Sequence, residues 1–170
     1  MTVAILFAMN VNAQIKTPQA SLETGVEQIV GLTKFDIEYF RPAKKGRLVF
    51  GDLVPYGKMW RTGANKNTTV EIDTNVEIDG KTLAPGKYSL FTVPKADSWE
   101  IIFYKTTDNW GLPKEWNESN VVLKTNVKPQ ALGKDVEYLS IVVNPMNNNE
   151  ATLDISWEKT MVSVKFEVPT

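Results

Sequence analysis

All the arginines of this chain, Arg41, Arg47 and Arg61, fall in one stretch, Arg41 to Lys66, with sequence RPAKKGRLVFGDLVPYGKMWRTGANK. A guanidinium is planar, permanently charged and able to bind a carboxylate or phosphate through two parallel N–H donors. Three of them on one loop suit an anion, with Tyr56 and Trp60 packing beside it and Asn65 adding a hydrogen bond. The stretch holds seven basic residues against a single acid, Asp52, so it carries +6 while the rest of the chain carries −7. The net charge of −1 therefore hides a polarised molecule. A competing reading is equally physical: a long loop must satisfy its own carbonyls, and arginines can do so or pair with acids of neighbouring strands.

The residue types that are missing narrow the chemistry. The chain has no cysteine and no histidine, so disulfides, thiolate nucleophiles, Ser-His-Asp triads and His-ligated zinc are excluded. Catalysis would have to run on carboxylates, lysine, tyrosine or hydroxyls. Asp52, surrounded by positive charge, is a poor general acid but a conceivable nucleophile or ligand-orienting group. A glycosidase needs a second carboxylate about 5 to 10 Å away, and Asp108, Glu115 and Glu118 are the residues that would supply it if their loop met this one. Asp73, Asp79 and the Asn147 to Asn149 turn lack the spacing of a calcium loop, and no metal or other cofactor is expected. The glycines at 46, 51, 57 and 63 match neither dinucleotide nor P-loop spacing, and tight turns explain them. Near-neutral charge without regular basic and aromatic interleaving leaves no nucleic-acid partner.

The elements that must position these residues are strands. Lys34 to Phe40 alternates Phe35, Ile37 and Tyr39 with Asp36 and Glu38, a half-buried strand pattern. Leu22 to Val30, Thr68 to Asp73, Val76 to Ile78, Lys87 to Val93, Trp99 to Tyr104 and Val121 to Val127 read likewise, with Asp79-Gly80 as a hairpin turn. Glu137 to Val143, Ala151 to Glu158 and Met161 to Val168 read as three further strands, the last two linked by Lys159-Thr160. Phe50 to Trp60 has room for a short turn of helix. About nine or ten closely spaced strands predict an all-β, single-domain antiparallel β-sandwich, jelly-roll-like, with one long ordered loop. Trp99 and Trp157 lie inside strands and belong to the core, whereas Trp110 and Trp116 sit on the Asp108 to Asn120 loop. Loop tryptophans either cap the open end of a sandwich or offer a stacking platform for a flat ligand.

At the N-terminus, Thr2 to Val11 is an apolar run of signal-peptide length, followed by the small-residue site Val11-Asn12-Ala13. The positive n-region is missing, so 1–13 reads as an incomplete signal peptide and 14–170 as the domain. It is too short to span a bilayer as a helix. The expected location is periplasmic or secreted, with no membrane span in the mature chain.

The run Tyr39-Phe40-Arg41-Pro42, Lys45-Gly46-Arg47, Phe50-Gly51-Asp52-Leu53-Val54-Pro55-Tyr56-Gly57-Lys58 and Trp60-Arg61-Thr62-Gly63-Ala64-Asn65 resembles domain of unknown function 2911. Ile78-Asp79-Gly80-Lys81, Pro85-Gly86-Lys87-Tyr88-Ser89-Leu90-Phe91, Trp99 and Trp110-Gly111 extend the likeness, which covers roughly Pro18 to Val168. The resemblance implies an extracytoplasmic β-rich domain of Bacteroidetes-type bacteria and brings no activity with it. The resulting expectation is a non-catalytic domain whose ligand-binding residues are Arg41, Arg47, Asp52, Tyr56, Trp60, Arg61, Asn65 and Trp110, with a small anionic molecule, a glycan or a protein as partner. The alternatives are a carboxylate-dependent hydrolase of saccharides or phosphoesters and a purely structural module.

Overall fold

Alternation of apolar and polar side chains along successive strands commits one face of each strand to burial, and two such faces must meet. The computed structural model describes residues 17–169, and the expected signal segment, 1–13, lies outside them. In chain order the strands are β1 (Leu22–Val30), β2 (Thr33–Arg41), β3 (Thr69–Ile72), β4 (Val76–Ile78), β5 (Lys81–Leu83), β6 (Gly86–Val93), β7 (Trp99–Tyr104), β8 (Val121–Val127), β9 (Gln130–Pro145) and β10 (Glu150–Glu167). They form a six-stranded sheet of order β1-β2-β3-β6-β7-β8 and a four-stranded sheet of order β5-β4-β10-β9. Every strand pairing is antiparallel.

The inward residues of the two sheets share one core. Phe35, Ile37, Val70, Leu90, Ile101 and Phe103 come from the larger sheet, and Ile141, Leu153, Ile155, Val164 and Phe166 from the smaller. Phe166 joins the layers, its ring 5.3 Å from Phe35 and 6.2 Å from Phe103, both edge-on. A smaller cluster of Phe91, Ile102 and Tyr104 is covered by Met59 and Trp116. These residues alternate with inward-facing neighbours, so they cap the outer face of the larger sheet. The Asp79-Gly80 hairpin forms as expected, with φ of 50° and 69° at its two central residues.

Two expectations need correction. Ala151 to Glu158 and Met161 to Val168 are one strand, β10, rather than a hairpin. Buried positions change parity along it, from Ala151, Leu153, Ile155 and Trp157 to Val162, Val164, Phe166 and Val168. The cause is a bulge: Glu158 has φ of 55°, and the β9 register shifts on both sides of it. Such a bulge bends and twists a strand without reversing it, and in sequence its parity change looks like a turn. The partner strand is correspondingly longer than expected and begins at Gln130. Phe50 to Trp60 contains hydrogen-bonded turns and no helix, and among the described residues the one helical element is the 3₁₀ turn Glu118–Asn120.

Truncating Phe166 to alanine should lower stability by about 3–5 kcal/mol in urea unfolding, because the residue is fully enclosed between the sheets. At the bulge, Glu158→Val should lower stability by about 1–2 kcal/mol, since a β-branched residue resists positive φ, whereas Glu158→Gly should be tolerated.

Candidate functional site

The Arg41 to Lys66 stretch closes one end of the sandwich by attaching to both sheets. Its first residues run along β9: Lys44 N donates to the Glu137 carbonyl at 2.8 Å and Leu139 N to the Pro42 carbonyl at 3.0 Å. Its far side runs along β6, where Trp60 and Thr92 exchange backbone hydrogen bonds of 2.7 and 2.9 Å. Between them a tight turn, closed by Val54 N to Val49 O at 2.8 Å, points Val49, Phe50 and Val54 into the core. Four aromatic rings then lock the loop. Phe50 lies edge-on 4.8 Å from Trp99 and 6.3 Å from Trp157, while Trp60 stacks on Trp157 at 5.9 Å. Trp60 also donates its indole N–H to the Gly63 carbonyl at 3.0 Å.

This closure leaves a cavity of about 580 Å³ under the loop, lined by Lys45, Arg47, Arg61, Leu53, Val54, Trp60, Trp157 and small residues including Ala20, Ser21 and Ala64. Three of its lining side chains are cationic and none is a carboxylate. The volume is that of a site for a small organic molecule.

The three arginines have different surroundings. Arg41 donates Nε to the Leu139 carbonyl at 2.9 Å and lies 5.9 Å above the Tyr138 ring, which fastens the loop to β9. Arg47 donates Nε to the Lys44 carbonyl and Nη2 to the Ala43 carbonyl, both at 2.8 Å, so it braces its own turn while also lining the cavity. Arg61 is half-buried, its Nε is enclosed, and that atom has no hydrogen-bond partner. Burial holds its pKa below the ordinary guanidinium value, with no carboxylate near enough to oppose the shift. The guanidinium nonetheless remains protonated.

The backbone beside Arg61 is strained. Thr62, fully buried and β-branched, has φ of 56°, and Asn65 also has φ of 56°. Non-glycine residues held in this region cost of order 1–3 kcal/mol and persist only where surrounding contacts enforce them. Here Thr68 donates its hydroxyl to the Thr62 carbonyl at 2.7 Å, and the Thr62 hydroxyl lies 3.2 Å from that of Thr92. Arg61 and Gly63, the two residues flanking Thr62, both line the cavity. Gly111 lies beside the Arg61 side chain, where a Cβ would stand at an ordinary van der Waals distance of 3.8 Å from Arg61 Nη1.

Of the residues nominated from sequence, Arg47, Trp60 and Arg61 meet around the cavity. Asp52 and Tyr56 are exposed on the turn above it and Asn65 bonds to Gln19, and none of the three is on its lining. Trp110, 69% exposed, lines a separate cleft of about 420 Å³ with Tyr104, Asp108 and Glu115. Asp52 lines neither space. Glu118, one of its nominated carboxylate partners, is bound to Lys124 at 2.6 Å and to the Trp116 indole at 2.7 Å. The cation Lys45 and the wall residue Trp157 were not nominated. Lys45 was visible as charge, but Trp157 comes from β10 and no local signal connects it to this loop. Asp73 and Asp79 accept hydrogen bonds from Lys34 N of β2 and the Thr125 hydroxyl of β8, which tie their turns to neighbouring strands. Among the described residues no group of three or more acidic side chains could hold a metal ion, and no helix is long and apolar enough to cross a membrane.

Comparison with known proteins adds a family without an activity. The family model described as "Protein of unknown function (DUF2911)" matches residues 21–166. No curated protein and no solved structure matches the chain.

Replacing Arg41 by alanine removes a charge-assisted hydrogen bond across the seam between loop and β9. It should cost about 1–3 kcal/mol in denaturant unfolding, and Arg41→Lys should recover only part of the loss because a lysine lacks the planar fork.

Proposed function

The chain belongs to the DUF2911 family, and from that premise we propose that it is a non-catalytic binding domain that takes a small organic anion in the cavity beneath the Arg41 to Lys66 loop. The observation that supports this reading is the isolation of Arg61. Half-burying a guanidinium removes it from water, and proteins ordinarily compensate with a carboxylate or carbonyl acceptor. Arg61 has an enclosed Nε without an acceptor, on the wall of a cavity that carries Lys45 and Arg47 and no acid. An anionic group on the ligand meets the Nη end of this guanidinium, since the enclosed Nε is out of its reach, and offsets a cationic charge that no protein carboxylate balances.

The rest of the lining defines the ligand's body. Trp60, Trp157, Leu53 and Val54 present apolar surface beside the cations, which suits a carboxylate or phosphate attached to an apolar or flat group. A hydrolase built on Asp52 has no comparable support, since that carboxylate stands outside the cavity. Action outside the cytoplasm is part of the proposal and rests on the apolar N-terminal run of the sequence.

The test is a thermal-shift and calorimetric screen of small carboxylates and phosphates against wild type and Arg61→Met. A ligand present at about 100 times its Kd adds roughly 2.7 kcal/mol to stability, which for a domain of this size is a rise of several degrees. The expected result is such a rise for wild type and its loss in Arg61→Met, with the unliganded variant as stable as wild type or up to about 1 kcal/mol more stable. A flat wild-type response together with a destabilised Arg61→Met protein would make Arg61 a structural clamp and overturn the proposal.

A further inference from the structure

The cleft on the other side of the Arg61–Gly111 contact has a different chemistry. Its lining joins Trp110 and Leu112, both exposed, to Thr106, Asp108, Asn109 and Glu115. Its two acids, Asp108 and Glu115, are matched by Lys114 on the lining and by Lys66, whose Nζ lies 3.8 Å from Asp108, so it lacks the positive excess of the neighbouring cavity. What such a surface does suit is a neutral ligand with an apolar face and many hydroxyls. A pyranose ring has that form: its axial C–H face lies on an indole while its hydroxyls donate to carboxylates and pair with amides.

Trp110 is also held in place. Asn67, buried beneath the loop, receives a hydrogen bond from Asn109 N at 3.1 Å and returns one from its own N–H to the Asn109 carbonyl at 3.2 Å. The Asn67 side chain donates to Ser89 Oγ at 2.6 Å, which ties the loop base to β6. On the other side of Trp110, Gly111 adopts φ of 89° near the Arg61 side chain. At the opposite wall the Tyr104 hydroxyl receives Asn117 N at 3.2 Å and stands 3.4 Å from Asn120 Nδ2. These contacts hold the backbone beside Trp110 and the base of its loop, so a ligand that meets the exposed indole does not have to order the segment that carries it.

We infer that the Trp110 cleft is a second ligand site, for a sugar ring of a neutral saccharide, separate from the anion cavity. Trp110 stacks on the ring, and Asp108 and Glu115 accept hydrogen bonds from its hydroxyls.

The experiment titrates the full chain with cellohexaose, xylohexaose and mannohexaose by calorimetry, using wild type, Trp110→Ala, Trp110→Phe and Arg61→Met. Trp110 is on the surface, so thermal unfolding of its variants should match wild type. The expected outcome is millimolar or tighter binding of at least one oligosaccharide, weakened roughly tenfold or more by Trp110→Ala and partly retained by Trp110→Phe. Absence of binding to all three at millimolar concentration, or binding that survives Trp110→Ala, would overturn the inference. Binding lost in Arg61→Met but kept in Trp110→Ala would also overturn it, placing the sugar in the cationic cavity instead.

Discussion

The contact among Phe50, Trp60, Trp99 and Trp157 is the constraint on which the functional end of the molecule depends. Trp99 belongs to β7 of the six-stranded sheet and Trp157 to β10 of the four-stranded sheet, and both are essentially fully buried. Phe50 and Trp60 enter from the loop between β2 and β3 and fill the space the sheets leave at that end. Aromatic rings bury large areas and add a geometric preference for edge-on or offset contact. The loop therefore becomes part of the core, which is how so polar a segment acquires one conformation.

Once the rings are placed, the charges follow. Arg41 satisfies the Leu139 carbonyl of β9, and Arg47 satisfies the Ala43 and Lys44 carbonyls at the start of the loop. Arg61 comes one residue after the Trp60 anchor and lines the cavity with Trp60 and Trp157, its enclosed Nε without an acceptor. Strain at Thr62 accompanies this arrangement. A segment held against backbone preference by its core contacts is pre-organised, and a ligand meeting it does not have to order it. The two interpretations of the arginines, clamp and ligand site, are thus divided among different residues of one loop.

The Asp108 to Asn120 loop shows the same economy at the outer face. Trp116 stacks on Tyr104 at 4.4 Å and covers Phe91, while Trp110 on the same loop stays in solvent. One tryptophan caps the outer cluster and holds the loop, which leaves the other free to face a partner. Composition could suggest either role for each, and only packing distributes them.

Local pattern determined most of the strands, because alternation with a period of two reports directly which face is buried. It also showed the family likeness from Tyr39 to Asn65, the clustering of positive charge, and the exclusion of histidine and cysteine chemistry. It failed at Glu158, where a bulge changes the parity of burial and so imitates a turn, and it could not bring Trp157 to the loop across roughly a hundred residues of chain. Which arginine lacks an acceptor, which acids stand apart from the cavity and which tryptophan is exposed were decided by tertiary structure alone. The physical reason is that acceptors and burial are supplied by residues distant in sequence, Leu139 for Arg41 and Gly111 beside Arg61, and a side chain's chemistry depends on what the fold places against it.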